Sequence, residues 1–277
     1  MVLAHILKHH INSSNSLTHS LKLSAVHINY NNRSDSHNDE LISRKHANDL
    51  NILFYTRPIY ELYRKTTEDR SMYEEVTKEI RFDMYRQTNA EYIALGHHEG
   101  DIVENIFNNI KKGINFENIK GMLPSKYISN LHIIRPFIGY TSQTNVTKEE
   151  IYNYASVYNI PYARDSTPLT SERGIFRNKI MPSLSQQYIR GFIKFSDEYM
   201  ELYTTIINNL AIPFLNNNIS SFVDPLSLSN QITYKMNEEY KSIYSLVFWK
   251  YIIYTMAHKS NISPPSNKSI TTFIQKQ

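Results

Sequence analysis

Residues 92–105 read Tyr-Ile-Ala-Leu-Gly-His-His-Glu-Gly-Asp-Ile-Val-Glu-Asn, and their order decides the fold. Four apolar residues make a short strand, Gly96 ends it, and a helical stretch with acids in its first turn follows. The same alternation recurs outward from this junction. Upstream, residues 2–10 are apolar at helical spacing, 22–30 read as a buried strand rich in Leu, Val and Ile, 37–49 as a helix, 52–55 as a second apolar run and 72–87 as a helix. Downstream, 132–138 read as a strand, 147–158 as a helix, and 173–184 as a loop entering a helix. Strands alternating with helices predict an α/β fold, with a parallel sheet covered on both faces and ligands bound beyond the carboxyl ends of its strands. Gly96–Asp101 is at such an end.

This α/β part is expected over residues 1–185. From residue 186 to 277 the periodic apolar residues Phe192, Phe195, Tyr199, Leu202 and Ile206, then Tyr244, Val247 and Ile252, predict a helical appendage interrupted at Pro213 and Pro225. The Asn- and Ser-rich stretches at 12–18 and 216–221 read as loops.

Composition narrows the function. At 277 residues, with 41% hydrophobic and 20% charged residues, the chain can bury one or two cores, and no uncharged apolar stretch is long enough to span a membrane. The absence of cysteine excludes disulfides, a cysteine nucleophile and thiolate-held zinc, and fits a reducing compartment, so the cytoplasm is the expected location. The apolar start, MVLAHILKHH, lacks a basic leader and a small-residue cleavage site, so it does not read as a signal peptide. A net charge of +4 gives only a mild attraction to polyanions, so any nucleic-acid surface must be a local patch.

Three segments can carry chemistry. In the helix after His98, Asp101 and Glu104 are three apart and share a face, where they could hold magnesium or bind a nucleotide; equally, the acids could simply cap and charge the helix. A zinc site is disfavoured, because adjacent His97 and His98 point their rings apart and no third ligand has recognisable spacing. Arg164-Asp165-Ser166-Thr167-Pro168, followed by Arg173, Gly174, Arg177 and Lys179, is a basic turn able to engage phosphates, or a solvated basic face capped by Asp165. Lys78 and Arg81 share a helical face, which alone says little.

Taken in order, Ala25-Val26-His27-Ile28-Asn29-Tyr30, Arg81-Phe82, Gly96-His97-His98 through Glu104, Arg135-Pro136, and Asp165-Ser166-Thr167 through Arg177-Asn178 resemble the tRNA(Ile)-lysidine synthetase family of N-type ATP pyrophosphatases, over about residues 1 to 185. The resemblance implies a Rossmann-like sheet of the adenine-nucleotide alpha-hydrolase type. It implies ATP and Mg2+ as cofactors, with a tRNA for isoleucine (CAU anticodon) and free lysine as partners. ATP would adenylate the C2 oxygen of the wobble cytidine, releasing pyrophosphate, and the lysine ε-amine would then displace AMP. Carried over by position, Asp101 and Arg177 would be catalytic, Asp101 would also hold the metal, and Val26, His27, Arg81, Gly96, His97, His98, Glu104 and Arg173 would bind ATP.

The match has departures. The family's acidic pair appears as Gly100-Asp101, and its phosphate-binding loop, S-G-G-x-D-S, would end just before Met1, so the first strand and loop are missing from these residues. Loss of a central strand would unpair backbone groups on two neighbouring strands at a cost that rivals the stability of a domain, so Met1 is expected to be an internal methionine of a longer protein, the rival account being a degenerate gene product; the 277-residue chain by itself is expected to perform no ATP–pyrophosphate exchange. A tRNA cytidine-thiolating enzyme of the same superfamily is the alternative enzyme reading, disfavoured by the lack of cysteine for an iron-sulfur cluster. A catalytically inactive nucleotide- or RNA-binding remnant is the other.

Overall fold

The computed structural model describes residues 1–13, 21–62, 70–113, 119–141, 143–162, 169, 171–223, 230–234 and 245–276. The chain divides into two compact units, residues 1–112 with 120–194, and residues 113–119 with 195–277.

The first unit is the expected alternation. Helix α1 (Val2–Ser13) precedes β1 (Ser24–Asn29), α2 (Ser36–Asp49), β2 (Leu53–Pro58), α3 (Arg70–Gln87), β3 (Tyr92–Ala94) and α4 (Glu99–Lys111). Then come β4 (Ser125–Ile128), β5 (Leu131–Ile134), α5 (Lys148–Val157) and α6 (Glu172–Ile175). Strands β1 and β2 pair in parallel from Ser24↔Leu53 to Asn29↔Pro58, and β3 pairs in parallel with β5 from Tyr92↔His132 to Ala94↔Ile134.

Each boundary has a local cause. At the end of β1, buried Asn29 accepts the Asn31 N–H (3.0 Å) and donates to Glu40 (3.0 Å), turning the chain out of the sheet. The sequence suggests that β5 runs to Ile138, but it stops at Ile134. Pro136 has no N–H for a ladder, and the Ile138 N–H instead donates to the Arg135 carbonyl (2.9 Å). Thr147 caps α5, accepting the Glu150 N–H while Glu150 accepts the Thr147 N–H.

Two elements differ from expectation. β4 pairs antiparallel with β5 through a two-residue turn, Ser129-Asn130, with both residues at positive φ (49° and 63°), the geometry that matches the twist of a hairpin. Residues 173–184, expected as a loop entering a helix, are helical from the start: α6 is followed by a π-helical turn (Phe176–Ile180) and a 3-10 turn (Met181–Ser183).

The sheet is in two pieces. β1 pairs only with β2 and β3 only with β5 among the described strands, so β1 and β3 each have one side without a ladder. A cavity of about 330 Å³ lies along both strands, lined by Ser24, Ala25 and Val26, by Ile93 and Ala94, and by Leu3, Ala4 and Leu7 of α1. Apolar clusters hold the unit together: Ile102, Val103 and Ile106 of α4 pack with Ile138, Phe176, Ile189 and Ile193, and Val2 packs with Phe137, Ala155 and Ile160.

The second unit is built on the end of α7 (Gln186–Ile206), a π turn (Ile207–Ala211), α8 (Ile212–Asn218), the antiparallel hairpin β6 (Ile219–Val223) and β7 (Asn230–Tyr234), α9 (Leu246–Lys259) and α10 (Asn267–Ile274). The π turn falls just before Pro213, which cannot donate to the helix ladder; the widened turn absorbs that loss without ending the helix. Phe214, Phe248 and Trp249 form edge-to-face pairs in its core, with Ile252, Ile270 and Ile274 around them. The hairpin is not anticipated by the helical periodicity. Pro225 and Tyr244 lie outside the described residues. No described helix is long and apolar enough to cross a membrane.

Candidate functional site

The site begins where β3 ends. Leu95 continues the pairing, donating to the Ile134 carbonyl (2.9 Å), and the chain then leaves the sheet through Gly96 and His97 to His98, the N-cap of α4. The His98 Nδ1 accepts the Gly100 N–H (3.0 Å), and Asp101 Oδ2 accepts the His98 N–H (3.0 Å). This reciprocal cap satisfies two of the helix's orphan donors and sets a carboxylate where the helix dipole favours it. The capping reading of Asp101 therefore holds, but it uses only one oxygen.

The other oxygen belongs to a second network. Arg177 Nη2 donates to Asp101 Oδ1 (3.1 Å) and Arg177 Nε to Glu104 Oε2 (2.8 Å), while Arg173 Nε donates to Glu104 Oε1. Asp101 and Glu104 are on one face of α4 as their spacing predicts, and Arg173 and Arg177, also one turn apart, reach them from α6 and the π turn. Glu104 is only 3% exposed, whereas the Arg173 side chain is half exposed. A buried acid holding two arginines by their Nε atoms fixes both guanidinium groups in one place, where they form a concentrated positive charge. π turns often mark such sites, because the extra residue re-aims side chains out of helical register.

The histidines are held neutral. Burial lowers the His98 pKa against the pull of Asp101, and Nδ1 accepts a hydrogen bond, so the ring proton is on Nε2. Burial also lowers the His97 pKa, opposed by Asp101 and reinforced by Arg135 and Arg173; its Nδ1 is buried with no partner.

Of the residues singled out from sequence, His98, Asp101, Glu104, Arg173 and Arg177 are joined by direct contacts, and His97 lies within their field. Gly96 lines the 330 Å³ cavity with Val26, and also a cavity of about 210 Å³ with His98, Lys148 and Tyr152. His27 stands apart, stacked against Phe54 at 6.2 Å. Arg81 donates to the Tyr30 hydroxyl (3.4 Å), so no direct contact joins it to the cluster. Arg164–Pro168 lies outside the described residues. Gln186 and Lys148, which the sequence reading did not single out, and Arg135, which it quoted only as part of a motif, adjoin the cluster. Gln186 donates to buried Glu99 (2.7 Å), Lys148 lines the smaller cavity, and Arg135 emerges from β5 beside His97. Glu99 and Gln186 are 87 positions apart, so no local pattern announces the pair.

For magnesium the donor set is sparse. No group of three His, Asp or Glu converges among the described residues, and both Asp101 oxygens already accept hydrogen bonds. These residues do not form a protein-built cation cage. A magnesium ion held mainly by nucleotide phosphates needs only one or two carboxylates, and Asp101 could supply one by exchanging Arg177.

The profile of the PP-loop domain family matches residues 1–184. The bifunctional protein TilS/HprT of Listeria innocua is 24% identical over 206 residues, covering 71% of this chain and 31% of that protein. The tRNA(Ile)-lysidine synthase of Mycoplasma mycoides is 26% identical over 264 residues, covering 92% of this chain and 59% of the relative. That of Buchnera aphidicola is 26% identical over 259 residues, covering 90% and 52%. The chain thus spans less than two thirds of the length of these relatives.

Proposed function

Because the chain belongs to the PP-loop domain family, we propose that it is an ATP-using tRNA-modifying enzyme of the cytoplasm, and specifically one that forms lysidine. The cytidine C2 oxygen attacks the α-phosphorus of ATP and pyrophosphate leaves; the lysine ε-amine then attacks C2 and AMP leaves. Both steps build negative charge on phosphate oxygens, so catalysis rests on fixed cations more than on proton transfer.

The observation that carries this reading is the Arg177 guanidinium spanning Asp101 and Glu104 beside Arg173, at the carboxyl end of β3. Glu104 positions both arginines before substrate arrives, so little reorganisation remains to be done when a phosphate replaces part of that network. Gly96, free of a side chain, lets a nucleotide approach the strand end, with Val26 and His27 toward the base and His97, His98 and Arg81 around it. Magnesium would supply further neutralisation of the triphosphate, with Asp101 as its protein ligand.

The test is transfer of labelled lysine to a tRNA(Ile) transcript with a CAU anticodon, run on the chain as it stands and on a form extended ahead of Met1 by an S-G-G-x-D-S loop. Transfer in either form, abolished by Arg177→Ala and by Asp101→Ala, supports the reading. No transfer in both, or transfer indifferent to Arg177, overturns it.

A further inference from the structure

Three rings stand in a row on one face of the β3–β5–β4 sheet. Tyr92 pairs with His132 across β3 and β5, and Tyr127 pairs with the same His132 across β5 and β4, so all three side chains leave the sheet on one side. The His132 ring is stacked with Tyr127 (4.4 Å between centroids, 22° between planes) and tilted against Tyr92 (4.7 Å, 44°). Ser125 fixes the middle ring through a 2.7 Å hydrogen bond with His132 Nε2. Behind the row, Ile93, Leu131 and Ile133 are buried with Phe82, which anchors the strands that carry it. The row itself is left to solvent, Tyr127 being 70% exposed and Tyr92 48%. Its rings are ordered before any partner arrives, so little side-chain entropy remains to be lost on binding.

The position and the charges around the row say what fits it. Tyr92 opens β3, four residues ahead of Gly96, so the row is at the amino edge of the sheet, away from the Asp101 and Glu104 cluster. β4 is the outermost described strand of this sheet, so the face of Tyr127 turned from His132 looks past the edge, where another flat ring can continue the stack. Cations flank the row on both sides: Lys22 lines the 330 Å³ cavity with Tyr92, and exposed Lys126 precedes Tyr127 on the edge strand. The neighbouring acid, Glu91, is engaged by a hydrogen bond from the Tyr92 hydroxyl, whose pKa it raises. Flat rings between cations complement a polyanion whose own groups are flat, and aromatics on an open sheet surface are a general means of holding unpaired bases.

We propose that the Tyr92–His132–Tyr127 row is a stacking platform for unpaired RNA bases, with Tyr127 as the ring on which a base is laid. This goes beyond the reaction proposed above, which is assigned to the carboxyl edge of the sheet, and it requires neither ATP nor lysine.

The experiment is fluorescence anisotropy with the full chain, titrated into a labelled short single-stranded oligoadenylate and, separately, into a duplex RNA of the same length. Tyr127→Ala is expected to weaken single-strand binding by about five-fold or more, while Tyr127→Phe, which keeps the ring, stays within about two-fold of the parent and duplex binding is unchanged in both. No single-strand binding by the parent, equal affinity in the parent and Tyr127→Ala, or an equal loss on single strand and duplex would overturn the proposal. Should Tyr127→Ala not fold, Tyr127→Leu keeps apolar bulk without a flat face, and unchanged single-strand affinity in that variant refutes it. Tyr127-dependent binding in a protein that transfers no lysine rejects the lysidine reading and leaves this one standing; lysine transfer together with oligoadenylate binding indifferent to Tyr127 does the reverse.

Discussion

Gly100 shows how a single residue tunes the site. It occupies the first turn of α4, where a β-carbon would approach the His98 ring to 2.9 Å at Cε1 and 3.2 Å at Nδ1. The ring is there because its Nδ1 caps the Gly100 N–H, so the missing side chain and the cap are one device. The position is where the related family carries an acid, and the packing explains why an acid does not fit here without moving His98. Gly→Ala within a helix ordinarily stabilises by about 0.5–1 kcal/mol. Gly100→Ala is expected to forgo that gain and lower stability below the parent, with an altered His98 imidazole signal. Urea unfolding and NMR check both; a stabilised variant with an unmoved His98 would refute the packing argument.

At the scale of elements, legibility follows how local the cause is. α5 is readable because Thr147 and Glu150 carry its start in four residues, and Thr147→Ala should cost about 1 kcal/mol in urea unfolding by leaving the Glu150 N–H uncapped. The Asp101/Glu104 face is readable because spacing three along a helix fixes it. β4 is not, since Ser129-Asn130 lacks the glycine that normally flags a tight hairpin. Residues 173–184 look like a loop entering a helix, not a helix throughout, because Gly174 and Pro182 break the helical pattern. Their helicity comes instead from Phe176 packing into the Ile102, Val103 and Ile106 cluster, and from Arg173 and Arg177 bonding to α4. The helical reading of the C-terminal region omits the β6–β7 hairpin for the same reason: apolar periodicity identifies a buried face, not how the chain returns to it.

Across the whole molecule, four histidines shift together. His27, His46, His97 and His98 all have pKa values lowered from 6.5, in each case first by burial. Their folded forms bind protons less readily than the unfolded chain. As pH falls through about 6.5 the unfolded state takes up protons that the folded state refuses, and stability declines until the folded pKa values are reached. Tm should therefore drop on going from pH 7.5 to pH 5.5 more than the carboxylates alone would cause, and replacing buried His46 with Gln should reduce that drop in calorimetric scans. A Tm that is flat over this range contradicts the shared shift.

The seam between β1 and β3 has a consequence for handling the protein. Among the described residues each of these strands has one side with no ladder, and in sheet proteins such sides are what foreign strands adhere to. Here α1 roofs the gap with Leu3, Ala4 and Leu7. The colloidal fate of concentrated samples is therefore tied to one twelve-residue helix: whatever frays it uncovers two sticky rails at once, and a net charge of only +4 offers little repulsion to keep copies apart.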